Sequence, residues 1–532
     1  MFGTFTTLQN LPRRRLDPND IPPPTPVTLP RYQPLAHDDL PGDGDTSLPS
    51  LLQNIGRSAV GIGPVGFSAI GLDLKLDAPL DQMIPDPDFI PDFRKWDALS
   101  QDSARDQNQT TRAPLRNGNS SPGCQVYLER KKELANANED AFRTVRRISP
   151  PKGKQQARLG NAYEFFRCLE LFTTFWDDPT QPPEMPPSPE LSSTELSERQ
   201  GENTQPSPEG QAPSNDDGKQ MVVQRTAPGT SMPPEYRQSL LSAFIKLVAY
   251  DFGCNVAAAR VEPRLQLVSS KDPKRARKTS CPSGCSFVYQ SATTREAARA
   301  GIIHGPVAAV SSRGGVDFAT PDVETAQSLD LAREIIAALI TAQHRAREGK
   351  TEKRFGEGEW WTSKPRWGGG SGGPIGREIE KDSVQGDKDA PPTDENGLPA
   401  PIIKKARKTM SIYDNYRMVR PPASTWDKKA RYEAIGRQRG ADYDDIFVFS
   451  SLFHHVSIMR VRVPQRLLDV LDGDAEPDLR KRSWGKVPAW RSQWFDLFSV
   501  EDRTEAMRML WAVMAWQMRK THDDQDTPMA GA

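Results

Sequence analysis

Two stretches of this chain, residues 179–232 and 350–410, decide most of what it can fold into. The first repeats Pro, Ser, Glu and Gln and offers only Leu191, Leu196, Val222 and Val223 as large aliphatics. Such sequence cannot bury enough apolar surface to offset the entropy of ordering it, so it reads as a disordered linker. The second is charged and rich in Gly and Pro, apart from Trp360, Trp361 and Trp367, and reads the same way. With 48 prolines and only 36% apolar residues in 532, little core must serve much chain.

What remains falls into separate ordered regions. Residues 1–123 are expected to be a largely disordered Pro/Gly-rich N-terminal region, with 100–123 a polar linker. Within it the apolar segment Leu48 to Leu76 has the character to pack on the core or on a partner. Residues 124–178 read as a helical hairpin. One helix is expected over 125–148, with Leu134, Ala141, Val145 and Ile148 at helical spacing, and a second over 155–176, with Tyr163, Phe166, Leu169, Phe172 and Trp176 along one face. Residues 233–349 read as a small α/β unit. Pro233 and Pro234 open a helix, β-prone runs follow at 264–268, 285–290 and 306–311, a short helix is expected over 295–300, and a long one over 323–347. Residues 411–520 read as a helix-rich C-terminal region packed on the core. They hold an apolar run from Ile446 to Phe453 and a terminal helix that Ser499 and Asp502 begin in the manner of a capping box. The tail, 521–532, is expected to be loose.

Each region presents faces larger than its own elements could cover. The fold class expected is therefore a mixed α/β, helix-rich composite core assembled from discontinuous ordered regions, with extensive disordered linkers.

Lys plus Arg equals Asp plus Glu at 70 each, so no global field draws the molecule to nucleic acid or an anionic membrane. Five cysteines, an odd and sparse set, read as reduced thiols of an intracellular protein. The acid-free Met1 to Arg15 has the composition of a mitochondrial presequence, but Pro12 interrupts its helix. No apolar run is long enough to span a bilayer, so no membrane partner is expected.

Catalytic motifs are scarce. Gly368, Gly370 and Gly373 satisfy a dinucleotide-loop spacing, and Ser371 sits in a formal Gly-x-Ser-x-Gly. Neither has the strand before it and helix after it that the chemistry requires, so no cofactor is expected. His454 and His455, with Asp444, Asp445 and Arg460, form the best catalytic neighbourhood, because His can act as a base near neutral pH and Asp can orient it. Adjacent residues on a strand face opposite ways, which would admit one of the two histidines to a site. Cys281 and Cys285, four apart across a turn, could hold zinc with Cys254 and His304.

Basic clusters at Lys271, Lys274, Arg275, Arg277 and Lys278, and at Lys404, Lys405, Arg407 and Lys408, suit import receptors or a phosphate backbone. The second is the nuclear-targeting candidate. Ser149, Ser188 and Ser207 each precede Pro and are candidate phosphorylation sites, Ser149 beside Arg146 and Arg147. The three indoles at 360–367 need burial on the core or on another protein, and are the partner-binding candidates.

The function expected from sequence is a non-enzymatic interaction or scaffold protein of nucleus or cytoplasm, binding other proteins through phosphorylatable linkers. The alternatives are an enzyme of unfamiliar type at His454 and His455, and a nucleic-acid-associated factor using the basic clusters.

Overall fold

A computed structural model describes residues 27–34, 47–55, 64–175, 229, 232–257, 262–290, 302–313, 323–348 and 431–520, apart from a few single positions within those ranges. Its centre is one nine-stranded mixed sheet with strands from residues 72–75, 254–313 and 431–496, so that three separated regions of the chain contribute to it.

In chain order the strands are β1 (Leu72–Lys75), β2 (Cys254–Ala257), β3 (Arg264–Val268), β4 (Lys278–Pro282), β5 (Ser286–Gln290), β6 (Ile302–Arg313), β7 (Arg431–Glu433), β8 (Tyr443–Leu452), β9 (His455–Pro464), β10 (Val487–Arg491) and β11 (Phe495–Asp496). The sheet runs β1-β10-β9-β8-β6-β5-β2, with β11 added to β9 and β7 to β6, while β3 and β4 form a separate hairpin. The central pair, β6 and β8, is parallel, and β8 and β9 are antiparallel across ten residue pairs from Tyr443↔Pro464 to Leu452↔His455.

The helices are α1 (Leu48–Ile55), α2 (Pro64–Ile70), α3 (Leu80–Met83), α4 (Phe93–Asp97), α5 (Gln101–Thr110), α6 (Cys124–Leu134), α7 (Asn138–Arg146), α8 (Tyr163–Phe172), α9 (Pro234–Ala249), α10 (Val323–Arg345), α11 (Gln465–Leu471) and α12 (Val500–Gln517).

Why the sheet lies in the middle is written in β8. Its run Ile446-Phe447-Val448-Phe449 is apolar at every position, as a strand covered on both faces must be. Ile446 and Val448 join one apolar cluster, with Leu331, Ile335 and Ile336 of α10. Phe447 and Phe449 join the other, with Phe166 of α8, Phe244 of α9 and Trp511 of α12. Trp511 is buried with its ring edge-on to Tyr127 (5.5 Å) and Phe252 (5.3 Å), tying α6, α12 and the turn after α9 into one layer. Three layers result, helices on either side of a sheet.

The composite core is therefore real, and mixed. Several local expectations change. The helix expected over 125–148 breaks into α6 and α7 at 135–137, where Asn136 Nδ2 donates to the Glu133 carbonyl at the end of α6 (2.7 Å). The second helix is shorter than expected, Tyr163–Phe172.

The stretch 100–123 is not a bare linker. Ser100 accepts from Ser103 N (3.2 Å) and starts α5, whose Ala104 and Asn108 are buried beside α6. Nor are residues 1–123 unstructured as a whole, because α1, α2 and β1 seat Leu52, Phe67, Leu72 and Leu74 in the core on the α10 side. The described residues within 411–520 carry five strands rather than being helix-rich, with Met459, Val461 and Val463 of β9 and Val487 and Ala489 of β10 buried at alternate positions. The segment 295–300 lies outside the described residues, as do Trp176 and the tail.

No helix among the described residues is long and apolar enough to cross a membrane.

Candidate site at the carboxyl ends of the central strands

At the end of the parallel pair the chemistry of the strands changes. β6 and β8 pair Val310 with Phe449, then Ser311 with Ser450, Ser312 with Ser451 and Arg313 with Leu452. Apolar residues give way to hydroxyls and a guanidinium at the edge where open α/β sheets place their ligands.

The turn from β8 to β9 carries the first group. Phe453 sits at φ +52°, a region a bulky residue rarely occupies. Its ring is held 5.0 Å from that of Phe172 and beneath the Arg237 guanidinium, so packing over-determines the strained backbone. His454 follows inside the turn rather than on a strand. The alternation that would have sent the two histidines apart does not apply, and their ring centroids are 4.3 Å apart. The two imidazoles therefore lie together, which corrects the expectation that they point to opposite faces.

The carboxylate beside them is Asp496, brought there because β11 pairs it with His455. Its Oδ1 lies 3.5 Å from His454 Nε2 and accepts from Phe498 N (2.8 Å), while the Asp496 N–H donates to Asp502 Oδ2 (2.9 Å) in the first turn of α12. One ligand atom from each of His454, His455 and Asp496 lies within 4.8 Å of the others. The Nδ1 atoms of both histidines are buried without a hydrogen-bond partner among the described residues.

Burial holds the His454 imidazole well below its ordinary pKa, and His455 presses it lower. His455 is lowered by burial against the pull of Asp496 and Asp502. Burial raises Asp496, opposed first by the Phe498 N–H. Two neutral imidazoles beside one carboxyl result, the form of His that binds metals.

Asp444 and Asp445 do not belong to this site. Asp445 pairs with Arg462 at the opposite end of β8, about seven residues or ~23 Å from Leu452. Asp444 accepts from Arg345 (2.9 Å). Asp445 is held in a fork by Arg462 (3.1 and 3.0 Å), and Arg460 is 3.9 Å from it with its guanidinium over Trp490. They anchor the far edge of the sheet.

The zinc set from sequence is not assembled either. Cys254 packs in one apolar cluster, whereas Cys281 and Cys285 pack in the other, across the sheet. His304 pairs with Glu433 (3.2 Å). Burial pushes the Cys285 thiol up to about 12, far from the thiolate that zinc takes.

A second group lies on the α10 side of the same strand ends. Arg313 pairs with Asp330 and lies 3.2 Å from Glu334, and Arg491 pairs with Glu334. Both guanidiniums lie by the Trp494 ring, at 5.2 and 5.3 Å.

Asp496, Arg313, Glu334, Arg491 and Trp494 were not foreseen. Only strand pairing and the packing of α10 bring them together. The nearest signal in sequence was the unusual density of polar and aromatic residues in Arg491-Ser492-Gln493-Trp494-Phe495-Asp496.

Lys271 of the first basic cluster pairs with Asp474. Ser149 is exposed after α7, with Arg146 already engaged by Glu170 (2.7 Å). Ser188, Ser207, Trp360, Trp361, Trp367, Lys404, Lys405, Arg407 and Lys408 lie outside the described residues.

No protein-family model matches the chain, and no curated protein or solved structure matches it either.

Proposed function

We propose that this chain is a metal-dependent enzyme that binds one divalent transition-metal ion through His454, His455 and Asp496. The observation that carries the reading is the convergence of three ligand atoms from a turn, the first residue of β9 and the added strand β11. An ion bound tetrahedrally at about 2.0–2.1 Å sets its donors roughly 3.3 Å apart. The 3.5 Å between His454 Nε2 and Asp496 Oδ1 already meets that spacing, and small side-chain rotations close the remainder.

Asp496 is oriented by the Phe498 N–H, the kind of outer hydrogen bond that fixes metal ligands. Three protein donors leave a coordination position for a ligand, the pattern of catalytic rather than structural zinc. The metal would act there as a Lewis acid on a substrate oxygen at the strand ends.

The test is metal content. The full chain, dialysed against zinc and then buffer, should retain one equivalent, and Asp496→Asn should retain none while keeping its melting transition. Wild-type chain without metal, or equal content in Asp496→Asn and His455→Gln, overturns the reading.

The interaction role of Trp360, Trp361 and Trp367, phosphorylation at Ser149, Ser188 and Ser207, and nuclear delivery by Lys404, Lys405, Arg407 and Lys408 stand beside it as proposals supported by sequence. A nuclease-treated pull-down from native extract, with and without the three tryptophans changed to alanine, tests the first. Partners that survive the substitution remove it.

A further inference from the structure

We propose that Arg313, Arg491 and Trp494 form a receptor for one oxyanion, the carboxylate or phosphate group of a ligand at the carboxyl end of β6. The argument is one of unmatched donors. Arg313 and Arg491 are almost wholly buried, at 2% and 4% exposure. Each spends part of its fork on the carboxylates of α10, but Arg313 Nε and Nη2, Arg491 Nε and Trp494 Nε1 have no hydrogen-bond partner among the described residues.

The acceptor side is thinner. Glu334 Oε1 is unbonded by geometry, yet it already lies 3.2 Å from Arg313 Nη1 as an ion-pair contact. Surplus N–H groups therefore converge where buried polar groups are normally paired. What they lack is an acceptor-rich group, and a planar guanidinium fork matches carboxylate and phosphate oxygens best.

Trp494 fixes the direction. Its ring lies by both guanidiniums at nearly equal distance, and its buried N–H, unpartnered among the described residues, is the third donor beside them. Ser450, whose buried hydroxyl also has no partner, lies on the α10 side of β8 by strand alternation. This proposal does not rest on the metal reading, because none of its residues is a proposed ligand to the ion.

The experiment is isothermal titration of the full chain, stripped of metal by chelation and then dialysed. Inorganic phosphate and acetate are added in separate runs, with chloride at matched ionic strength as the control. One of the two should bind at a single site. Trp494→Phe, which keeps the ring and removes one donor, should weaken that binding roughly ten- to a hundredfold, the effect of losing one hydrogen bond to a charged group. If Trp494→Phe loses its melting transition, Arg491→Lys, which keeps the charge without the fork, is read in its place and should weaken binding likewise.

Phosphate binding without acetate binding assigns a phosphoryl ligand, and the reverse assigns a carboxylate. No heat from either anion above the chloride control, or binding indifferent to the substitution that folds, overturns the proposal. Because the chain is metal-free, failure here leaves the His454 site untouched, and failure of metal binding leaves this result standing.

Discussion

Replacing Arg345 by Met removes the polar contacts by which its guanidinium ties the end of α10 to the sheet and to α12, and leaves an apolar side chain in their place. The guanidinium is buried and donates to Pro306 O (2.7 Å), Val307 O (2.5 Å), Gln517 Oε1 (3.1 Å) and Asp444 Oδ1 (2.9 Å). It ties α10 to β6, β8 and α12 at once. Removing one partner of a buried ion pair costs about 3–5 kcal/mol, because the other charge stays desolvated. The carbonyls of Pro306 and Val307 lose their donor as well, at about 1 kcal/mol each.

Arg345→Met should therefore lose about 5 kcal/mol or more, a large share of the roughly 5–15 kcal/mol available to a domain. Urea unfolding followed by tryptophan fluorescence should show a midpoint lower by about 1–2 M, with the slope preserved. Arg345→Met combined with Asp444→Leu should recover part of the loss, since an apolar pair in place of a buried ion pair is often close to neutral. A single-variant loss under about 1 kcal/mol, or a double variant worse than the sum of its parts, would refute the reasoning.

Burial pushes His344 down to about 3 from its ordinary 6.5, with Arg347 adding to the fall. Below 6.5 the unfolded chain takes up a proton that the folded chain refuses, so stability present above that pH is lost as pH falls toward 3. The loss is about 1.4 kcal/mol per pH unit for this group, and His344→Phe should flatten the dependence by that amount in urea midpoints compared between about pH 6.5 and 5. Arg503 is buried and bonds the end of α6 through Leu134 O (2.7 Å) and the start of α7 through Asn138 Oδ1 (2.5 Å). Lys cannot reach both, so Arg503→Lys should lower stability by about 2–4 kcal/mol in the same assay. Gly473 has φ +97°, and a Cβ there would meet Ser270 C at 2.8 Å. The obstacle is backbone, so Gly473→Ala should cost about 1–3 kcal/mol and lower the melting temperature.

Much of the scaffold was legible because burial leaves a trace in sequence. The apolar run from Ile446 to Phe453 marked a buried segment, though not that it is the strand β8, α10 was found within two residues of its end, and Ser499 accepts from Asp502 N (3.2 Å) to start α12 as the capping pattern requires. α5 escaped because its ten residues are almost all polar, and its stability comes from Ser100 and from packing two small buried faces on α6. β9 escaped because its adjacent Ile458 and Met459 break the alternation that Met459, Arg460, Val461, Arg462 and Val463 then keep, and because its arginines are held with their guanidiniums over Trp490 and Tyr443, which only the folded sheet shows.

The site was half legible. His454 and His455 stood out as a pair, but their partner was sought upstream at Asp444 and Asp445. Sheet register, which sequence spacing does not encode, supplies Asp496 from downstream instead.

The central claim, that His454, His455 and Asp496 hold a metal ion, is tested most directly by titrating the metal-free full chain with cobalt(II) and recording its visible absorption. The account predicts intense d–d bands of a low-coordinate ion saturating at one equivalent, absent in Asp496→Asn and displaced by zinc. A spectrum indistinguishable from that of aqueous cobalt throughout the titration would contradict it.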